Sequence, residues 1–510
     1  MDETYQTAAK AAVWFRRKQM TNTVVLSKWE NKPYISIESA LPNLVFKILD
    51  RATSYKIKDF EFIDNKIFIC PKCGWWKLVI HATSDYCKRC GTQCNTGLWD
   101  GQIRLMSKTR QGKYYFPIGL LDSIESTLKS AGYDTHLQGS QPEPQGEDRN
   151  LELTWSGPTL RKHQDEAVAK VLARFKGDDD KTGGKGTVLE MSTGSGKTTT
   201  ALWLLKELGV NTLILVHKKN LMEQWENAIK ETLNWTPELY GDNKKEIGPI
   251  TIGMVQSITK ANDFQLEMFD FLCLDECHHC PCDQTYKILM KSNAYYRLGL
   301  SATPTREDGN EMKLFAAIGP ITKVSSIKEL IKLGILAKPT IELINAPPGG
   351  SGETYAEAKK NQIVLNQKRN ELIAQKTYEL QRRGLSVLIS VDQIRHGKTL
   401  ETMIVGSKFI HGKTKKEIRK KAMKDFENGT LKVMESTLLN EGSDIPTLDA
   451  IIIASGGKSE AAQIQKIGRA LRTTETKKNA LIIDVIDGGK FLRDHAQSRI
   501  ALYNKIFGDI

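Results

Sequence analysis

The sequence predicts an α/β protein: two tandem parallel-sheet domains preceded by a small α+β unit that carries a ribbon-like cysteine insertion. Three observations carry this prediction. Strand-like and helical segments alternate through residues 156–510, as parallel sheets with crossover helices require. A glycine-rich turn joins an apolar strand to a helix at residues 192–199. Two CxxC pairs lie upstream, and a polar stretch rich in Gln, Gly, Pro and Glu (residues 136–150) separates them from the rest.

In the amino-terminal unit, residues 23–37 alternate in strand fashion and LPNLVFKILD reads as a helix. Cys70, Cys73, Cys87 and Cys90 then form two CxxC pairs separated by 13 residues. Four thiolates at this spacing suit a tetrahedral Zn²⁺, with Cys94 an alternative to Cys90 and His81 a spare ligand. The plainer reading is a set of reduced cysteines packed as small apolar groups. Trp75, Trp76, Lys77, Lys88 and Arg89 fit a DNA contact by this module. GLWDGQIRLM follows as strand, and Leu120, Leu121, Ile124 and Leu128 mark one face of a helix that Gly132 ends.

Beyond the polar stretch, Thr187, Val188, Leu189 and Met191 read as a buried strand and TTTALWLLKEL as a helix. Between them lie Thr193, Gly194, Ser195, Gly196, Lys197, Thr198 and Thr199. Glycines at 194 and 196 permit positive φ and close backbone approach, so the N–H groups and the helix N-terminus can surround polyphosphate oxygens. Lys197 would reach the β and γ phosphates of ATP, and the Thr198 hydroxyl would ligate Mg²⁺. A chance glycine-lysine turn is the bland alternative, and the flanking strand and helix oppose it. In MFDFLCLDECHH, apolar Phe269, Phe271, Leu272 and Leu274 lead into Asp275. This places Asp275 as the outer Mg²⁺ partner and Glu276 as the residue that orients or deprotonates an attacking water. A DE pair alone is more often a solvated turn; its position between the glycine loop and SATPTR decides the matter. Cys273, Cys277, Cys280 and Cys282 around it read as buried thiols rather than a second metal site.

From Leu160 onward the chain resembles the superfamily 2 helicases and translocases, in the repair and phage-recombination branch whose box reads DEAH or DECH. The resemblance implies two RecA-like motor domains. It makes Arg161 and Gln164 of LRKHQ an adenine-reading box, and no NKxD guanine box occurs. It assigns His217 and Lys218 of LVHKKNLMEQW, Gln256 and Ser257 of GMVQSI, Arg306, and Thr437 of STLLNEGSDIP to nucleic-acid contact. It makes His278, Ser301 and Thr303 the coupling group between nucleotide and DNA, and places Gly442 and Asp444 at ATP. VLISVDQIRHG is another box of the second motor domain. In QIQKIGRALR it implies that Gln465, Arg469 and Arg472 close on ATP from that domain, the arginines as fingers. Glu435 departs from the family pattern of a small residue, and its carboxylate is expected to face Mg²⁺, DNA or solvent. The order strand, WDG, strand, GL-helix resembles the amino-terminal domain of UvsW-type phage branch-migration helicases, which binds duplex DNA. The cysteine module is an insertion relative to that pattern.

The implied organisation is a DNA-binding domain at 1–135 with a zinc module at 70–94, a linker at 136–155, and motor domains at 156–336 and 337–510. The net charge of +13 and pI near 9.1 fit a polyanionic partner. No apolar run approaches the ~18 residues of a membrane span, and the start MDET lacks a signal-peptide pattern. Nine cysteines with two CxxC pairs suit a reducing cytosol, that of a bacterial host if the chain is phage-encoded. The lysine-rich residues 411–426, with Ile418, Ala422 and Phe426 four apart, are expected to form an amphipathic surface helix that packs through these three, with direct DNA contact the lesser reading. The expected activity is ATP-dependent translocation that remodels branched DNA, including forks, Holliday junctions, D-loops, or R-loops with their RNA strand, using ATP, Mg²⁺ and structural Zn²⁺. The alternatives are the motor subunit of a restriction system and a zinc-containing nucleic-acid binder with a decayed motor; intact Lys197, Thr198, Asp275, Glu276, Arg469 and Arg472 oppose decay.

Overall fold

In the computed structural model the described residues are 23–29, 33–39, 41–56, 66–69, 76–78, 95–98, 102–109, 111–138, 151–176, 185–261, 264–279, 283–304, 311–438, 448–457, 467–468, 471, 473, 477 and 479–508. The chain divides into two compact units, Met1–Glu190 with Thr198–Val324, and Met191–Lys197 with Ser325–Ile510.

The first unit contains two large sheets and two small ones, Ser54–Lys56 with Gln102–Arg104, and Lys66–Ile69 with Trp76–Leu78 and Asn95–Leu98. Thr23–Lys28, Tyr34–Ile37 and Tyr114–Pro117 are antiparallel neighbours, and Asp134–Gln138 pairs parallel with Thr23–Lys28. One face is apolar, with Val24, Leu26, Ile35, Ile37 and Phe116 packed under the helices Asn43–Ala52 and Leu121–Ser130 through Leu49, Leu121, Ile124 and Leu128. Because His136 and Gln138 pair with Val25 and Ser27, residues 136–138 belong to the strand rather than to the expected linker. The expected linker also ends early: Leu151 N–H donates to the Gly209 carbonyl and Ser156 N–H to that of Thr232.

The second sheet of this unit has the order 244–245, 238–241, 250–254, 212–216, 271–274, 296–301, 186–190, 321–323. Every pair is parallel except the 238–245 hairpin. Its central strands Thr212–Val216 and Phe271–Leu274 are buried at every residue, as a sheet covered on both faces demands. The two sheets join closely: a Cβ at Gly119 would lie 2.1 Å from the Phe315 carbonyl oxygen, so only glycine fits there. Asp122 and Arg174 pair across the same junction at 2.8 Å.

The second unit is a six-stranded parallel sheet in the order 338–345, 479–486, 450–453, 387–390, 433–436, 407–410. Leu330 of the helix Ile327–Lys332 is fully buried in the core of this sheet with Leu336 and Ala337. The domain therefore starts at Ser325, twelve residues before the expected boundary. In the helix Lys416–Glu427, Ala422 and Phe426 are buried but Ile418 is 47% exposed. Each four-residue step advances about 40° around a helix, which carries Ile418 off the core face.

Candidate nucleotide and nucleic-acid site

The parallel sheet of the first unit delivers its predicted residues at the carboxyl ends of neighbouring strands, where open α/β sheets bind ligands. Gly186–Glu190 runs into the glycine loop, Tyr296–Ser301 ends at Ser301, Phe271–Leu274 leads to Asp275, Thr212–Val216 to His217, and Ile250–Met254 to Gln256. This placement follows from topology alone.

In the loop, Gly194 and Gly196 have φ of 83° and 88°, a region closed to most side chains. The Ser195 hydroxyl and backbone N–H both return to the Ser192 carbonyl, at 2.7 and 3.2 Å, and fix the turn. Lys197 opens the helix Lys197–Leu208, so Thr198 and Thr199 lie in its first turn. Gln164 is buried at the start of Lys162–Lys176, and its side-chain oxygen accepts the Arg161 N–H at 2.8 Å. The turn expected to read adenine is therefore braced.

Asp275 is buried and held from two sides. The Trp225 indole N–H donates to one carboxylate oxygen at 2.8 Å, and the Glu276 N–H to the other at 2.9 Å. Such charge-assisted bonds contribute about 1.5–3 kcal/mol each and fix the carboxylate plane. Its donor set, one oriented carboxylate, suits a hard divalent cation that keeps most of its water. Glu276 has φ of 46°, a conformation rare outside glycine and asparagine, and such strain clusters at functional sites. His278 Nδ1 lies 3.1 Å from the Ser301 hydroxyl and 3.4 Å from Glu276 Oε2, and the Thr303 N–H donates to Ser301 Oγ at 3.1 Å. His278, Ser301 and Thr303 are thus hydrogen-bonded in a row, and the 3.4 Å contact of His278 with the Glu276 carboxylate brings Glu276 to its end. Cys273 and Cys277 are buried and form no disulfide; burial and the Asp275 carboxylate push the Cys273 thiol well above its ordinary range, which leaves it inert.

Among the proposed nucleic-acid contacts, Gln256 Nε2 donates to the His217 carbonyl at 3.1 Å, so the two boxes of this unit are joined. Lys218 precedes the helix Lys219–Leu233, and Ser257 lies in Val255–Lys260. In the second unit Thr437 directly follows the strand Val433–Ser436. Glu435, in that strand, corrects the expectation: it is 0% exposed and faces neither solvent nor a ligand edge. Burial pushes its carboxyl up to about 7, with Glu401 adding to the rise and Ser407 and Lys408 opposing it. Arg306, Gly442, Asp444, Gln465, Arg469 and Arg472 lie outside the described residues, as do Cys70, Cys73, His81, Cys87, Cys90, Cys94, Cys280 and Cys282. Among the described residues no group of three or more His, Cys, Asp or Glu could hold a metal, and no helix is long and apolar enough to cross a membrane.

Sequence reasoning missed Trp225, which it had placed only in a backbone-gripping box. It also missed two buried pairs of the second unit. Arg369 is bidentate to Asp487 at 2.6 and 2.9 Å, and Arg499 to Asp484 at 2.8 and 3.0 Å. Each arginine also donates to the chain leaving Ala450–Ile453, Arg369 to the Ala454 carbonyl and Arg499 to that of Gly457. The carboxyl end of that strand is clamped from both sides.

The family described as type III restriction enzyme, res subunit, matches residues 157–306, and the helicase conserved C-terminal domain matches residues 367–474. A Halobacterium salinarum protein provisionally named DNA 3'-5' helicase Rad25 is 28% identical over 400 residues, covering 74% of this chain and 61% of its own, so less than two thirds of that relative is matched. The ATP-dependent DNA helicase uvsW of Enterobacteria phage T4 is 23% identical over 427 residues, covering 77% of this chain and 82% of its own. Among solved structures, a fragment provisionally assigned as the HsdR subunit of a type I restriction enzyme from Vibrio vulnificus aligns with a TM-score of 0.53 at 19% identity, covering 70% of this chain and 68% of its own. That likeness is one of fold.

Proposed function

Because the chain belongs to the superfamily 2 helicases, with a res-subunit domain followed by a helicase C-terminal domain, we propose that it is an ATP-driven DNA translocase that remodels branched DNA. The observation that carries this reading is the chain from Glu276 through His278 to Ser301 and Thr303. It ties the hydrolytic carboxylate to the strand end next along the sheet edge, so a change at the nucleotide can be felt by the nucleic-acid boxes.

In this reading the glycine-loop N–H groups and Lys197 bind the phosphates, with Arg161 and Gln164 at the base and Thr193, Ser195 and Thr199 lining the loop. Thr198 and Asp275 would hold Mg²⁺, which supplies charge neutralisation on the β and γ phosphates. Glu276 orients the water and takes its proton. Gln465, Arg469 and Arg472, with Gly442 and Asp444, complete the site from the second motor domain when the cleft closes. His217, Lys218, Gln256, Ser257, Arg306 and Thr437 hold one strand through its backbone, so closure and release move the motor along it. The amino-terminal unit supplies duplex or junction binding, and Cys70, Cys73, Cys87 and Cys90 bind one structural Zn²⁺.

A panel of strand-displacement assays on forks, four-way junctions, D-loops and R-loops, with Lys197→Ala as control, tests this. Expected is ATP-dependent remodelling of at least one branched substrate in preference to linear duplex. ATPase activity without any branch preference would instead favour the restriction-motor reading, to which the res-subunit match and the HsdR-like fold lend support.

A further inference from the structure

The lysine-rich helix Lys416–Glu427 takes no part in the nucleotide and strand contacts proposed above. Residues 413–427 hold seven cations against three acids, Glu417, Asp425 and Glu427. Their placement is unfavourable for an isolated helix. Lys415 takes the N-cap position without a side-chain cap, and Lys416 opens the first turn, where the positive end of the helix dipole repels a cation. Lys416, Lys420 and Lys424 then follow at intervals of four, all exposed, so like charges stand one above another along one row. Elsewhere in this unit lysines answer carboxylates: Lys359 meets Asp392 at 2.8 Å, Lys376 meets Glu342 at 2.7 Å and Lys408 meets Glu401 at 3.1 Å. Lys420, Lys421 and Lys424 meet none among the described residues, although Glu417 stands one turn before Lys421 and Asp425 one turn after it.

The helix starts at the sheet edge that carries Thr437. The Thr437 N–H donates to the Ile410 carbonyl at 3.3 Å. From there the His411 N–H donates to Thr414 Oγ1 at 3.0 Å and the Lys413 N–H to His411 Nδ1 at 3.2 Å, so a braced loop leads from that edge to Lys415. Phe426, the one aromatic ring of the helix, is buried in the core, and the outer face has no surface on which unpaired bases could stack. A rigid row of cations without rings suits the phosphate backbone of paired DNA. From Lys416 to Lys424 the row rises about 12 Å, a length over which one strand of a duplex carries roughly three or four phosphates.

We propose that the outward face of this helix, through Lys420, Lys421 and Lys424, binds the backbone of a duplex arm adjoining the strand that Thr437 holds. This rests on the translocase reading and adds a second surface to it. The groove holds one strand, and the helix holds paired DNA beside the fork or junction, by charge and without regard to sequence.

The test is equilibrium binding of the full chain to a short blunt duplex and to a single strand of the same length, between about 50 and 200 mM salt. The variant combines Lys420→Gln, Lys421→Gln and Lys424→Gln, and glutamine keeps the helix. On the duplex, its slope of log affinity against log salt should be shallower than the parent's by about 2.7, the effect of losing three phosphate contacts. Affinity for the single strand and ATP turnover without DNA should match the parent. Changing the same three lysines to arginine keeps the charge and should keep the parent's duplex slope. A duplex slope unmoved by glutamine, with normal single-strand affinity, would overturn this proposal and leave the translocase reading standing. An equal loss on the single strand would also overturn it, by placing the three lysines in the strand groove. So would an arginine variant that binds duplex as poorly as the glutamine one, since charge would then not be the cause. A parent chain that binds neither DNA would overturn both this proposal and the reading it rests on.

Discussion

The indole of Trp225 donates its N–H to the Asp275 carboxylate at 2.8 Å across 50 residues of sequence. A helix behind the sheet thereby aims the carboxylate proposed to face Mg²⁺. Trp225→Phe keeps most of the packing and removes this donor. Losing about 1.5 kcal/mol of orientation should raise the Mg²⁺ concentration for half-maximal ATPase activity about 10-fold. A Mg²⁺ titration on folded variant checks it, and an unchanged midpoint would make the contact purely structural.

Lys197→Ala should abolish hydrolysis while DNA affinity stays within a few-fold, because the proposed reading gives phosphate and DNA to different residues. Parallel ATPase and DNA-binding measurements decide this; wild-type hydrolysis would remove the phosphate-loop assignment.

Glu276→Gln preserves shape and loses the base, so nucleotide should bind normally and turnover fall by at least ~100-fold. Equilibrium binding and single-turnover kinetics separate the two effects. An equal loss of affinity would recast Glu276 as a binding group.

His278 and Ser301 meet at 3.1 Å. Ser301→Ala should leave DNA-stimulated ATPase within a few-fold yet reduce strand displacement about 10-fold or more, since the carboxylate stays and the relay is cut. If both activities fell together, the pair would be part of the hydrolytic site itself.

Glu435 holds its proton when folded up to about pH 7, whereas the unfolded chain releases it near the ordinary value of 4.5. The contribution is therefore fully favourable below pH 4.5 and is lost as pH rises through 7. The loss is about 3 kcal/mol. Denaturant unfolding at pH 5 and 8 should show a steeper decline for the parent chain than for Glu435→Gln. Identical pH slopes would mean that the carboxylate reaches water.

The glycine loop was legible in sequence because positive φ at 194 and 196 leaves little choice of residue. The strand leading to Asp275 was legible because sheets covered on both faces must be apolar throughout. What escaped depends on partners distant in sequence. Trp225 looked like a box residue until the sheet brought it to Asp275. His136 and Gln138 read as linker because their partners, Val25 and Ser27, lie more than a hundred residues upstream. Glu435 was expected to face Mg²⁺, DNA or solvent because a carboxylate inside a parallel strand contradicts burial preference. Ile418 misled through a spacing of four that only approximates a helical turn.

The strand order of the first motor domain also constrains how the protein is made. Gly186–Glu190, which feeds the glycine loop, lies between Tyr296–Ser301 and Ile321–Lys323, both translated long after it. At roughly 5–20 residues per second, a ribosome needs on the order of ten seconds to supply those neighbours. During that interval an apolar strand waits with both edges open, which makes the nascent chain a natural client for chaperones. Slower growth at lower temperature should accordingly improve soluble yield, and fragments ending before Lys323 should be recovered in inclusion bodies.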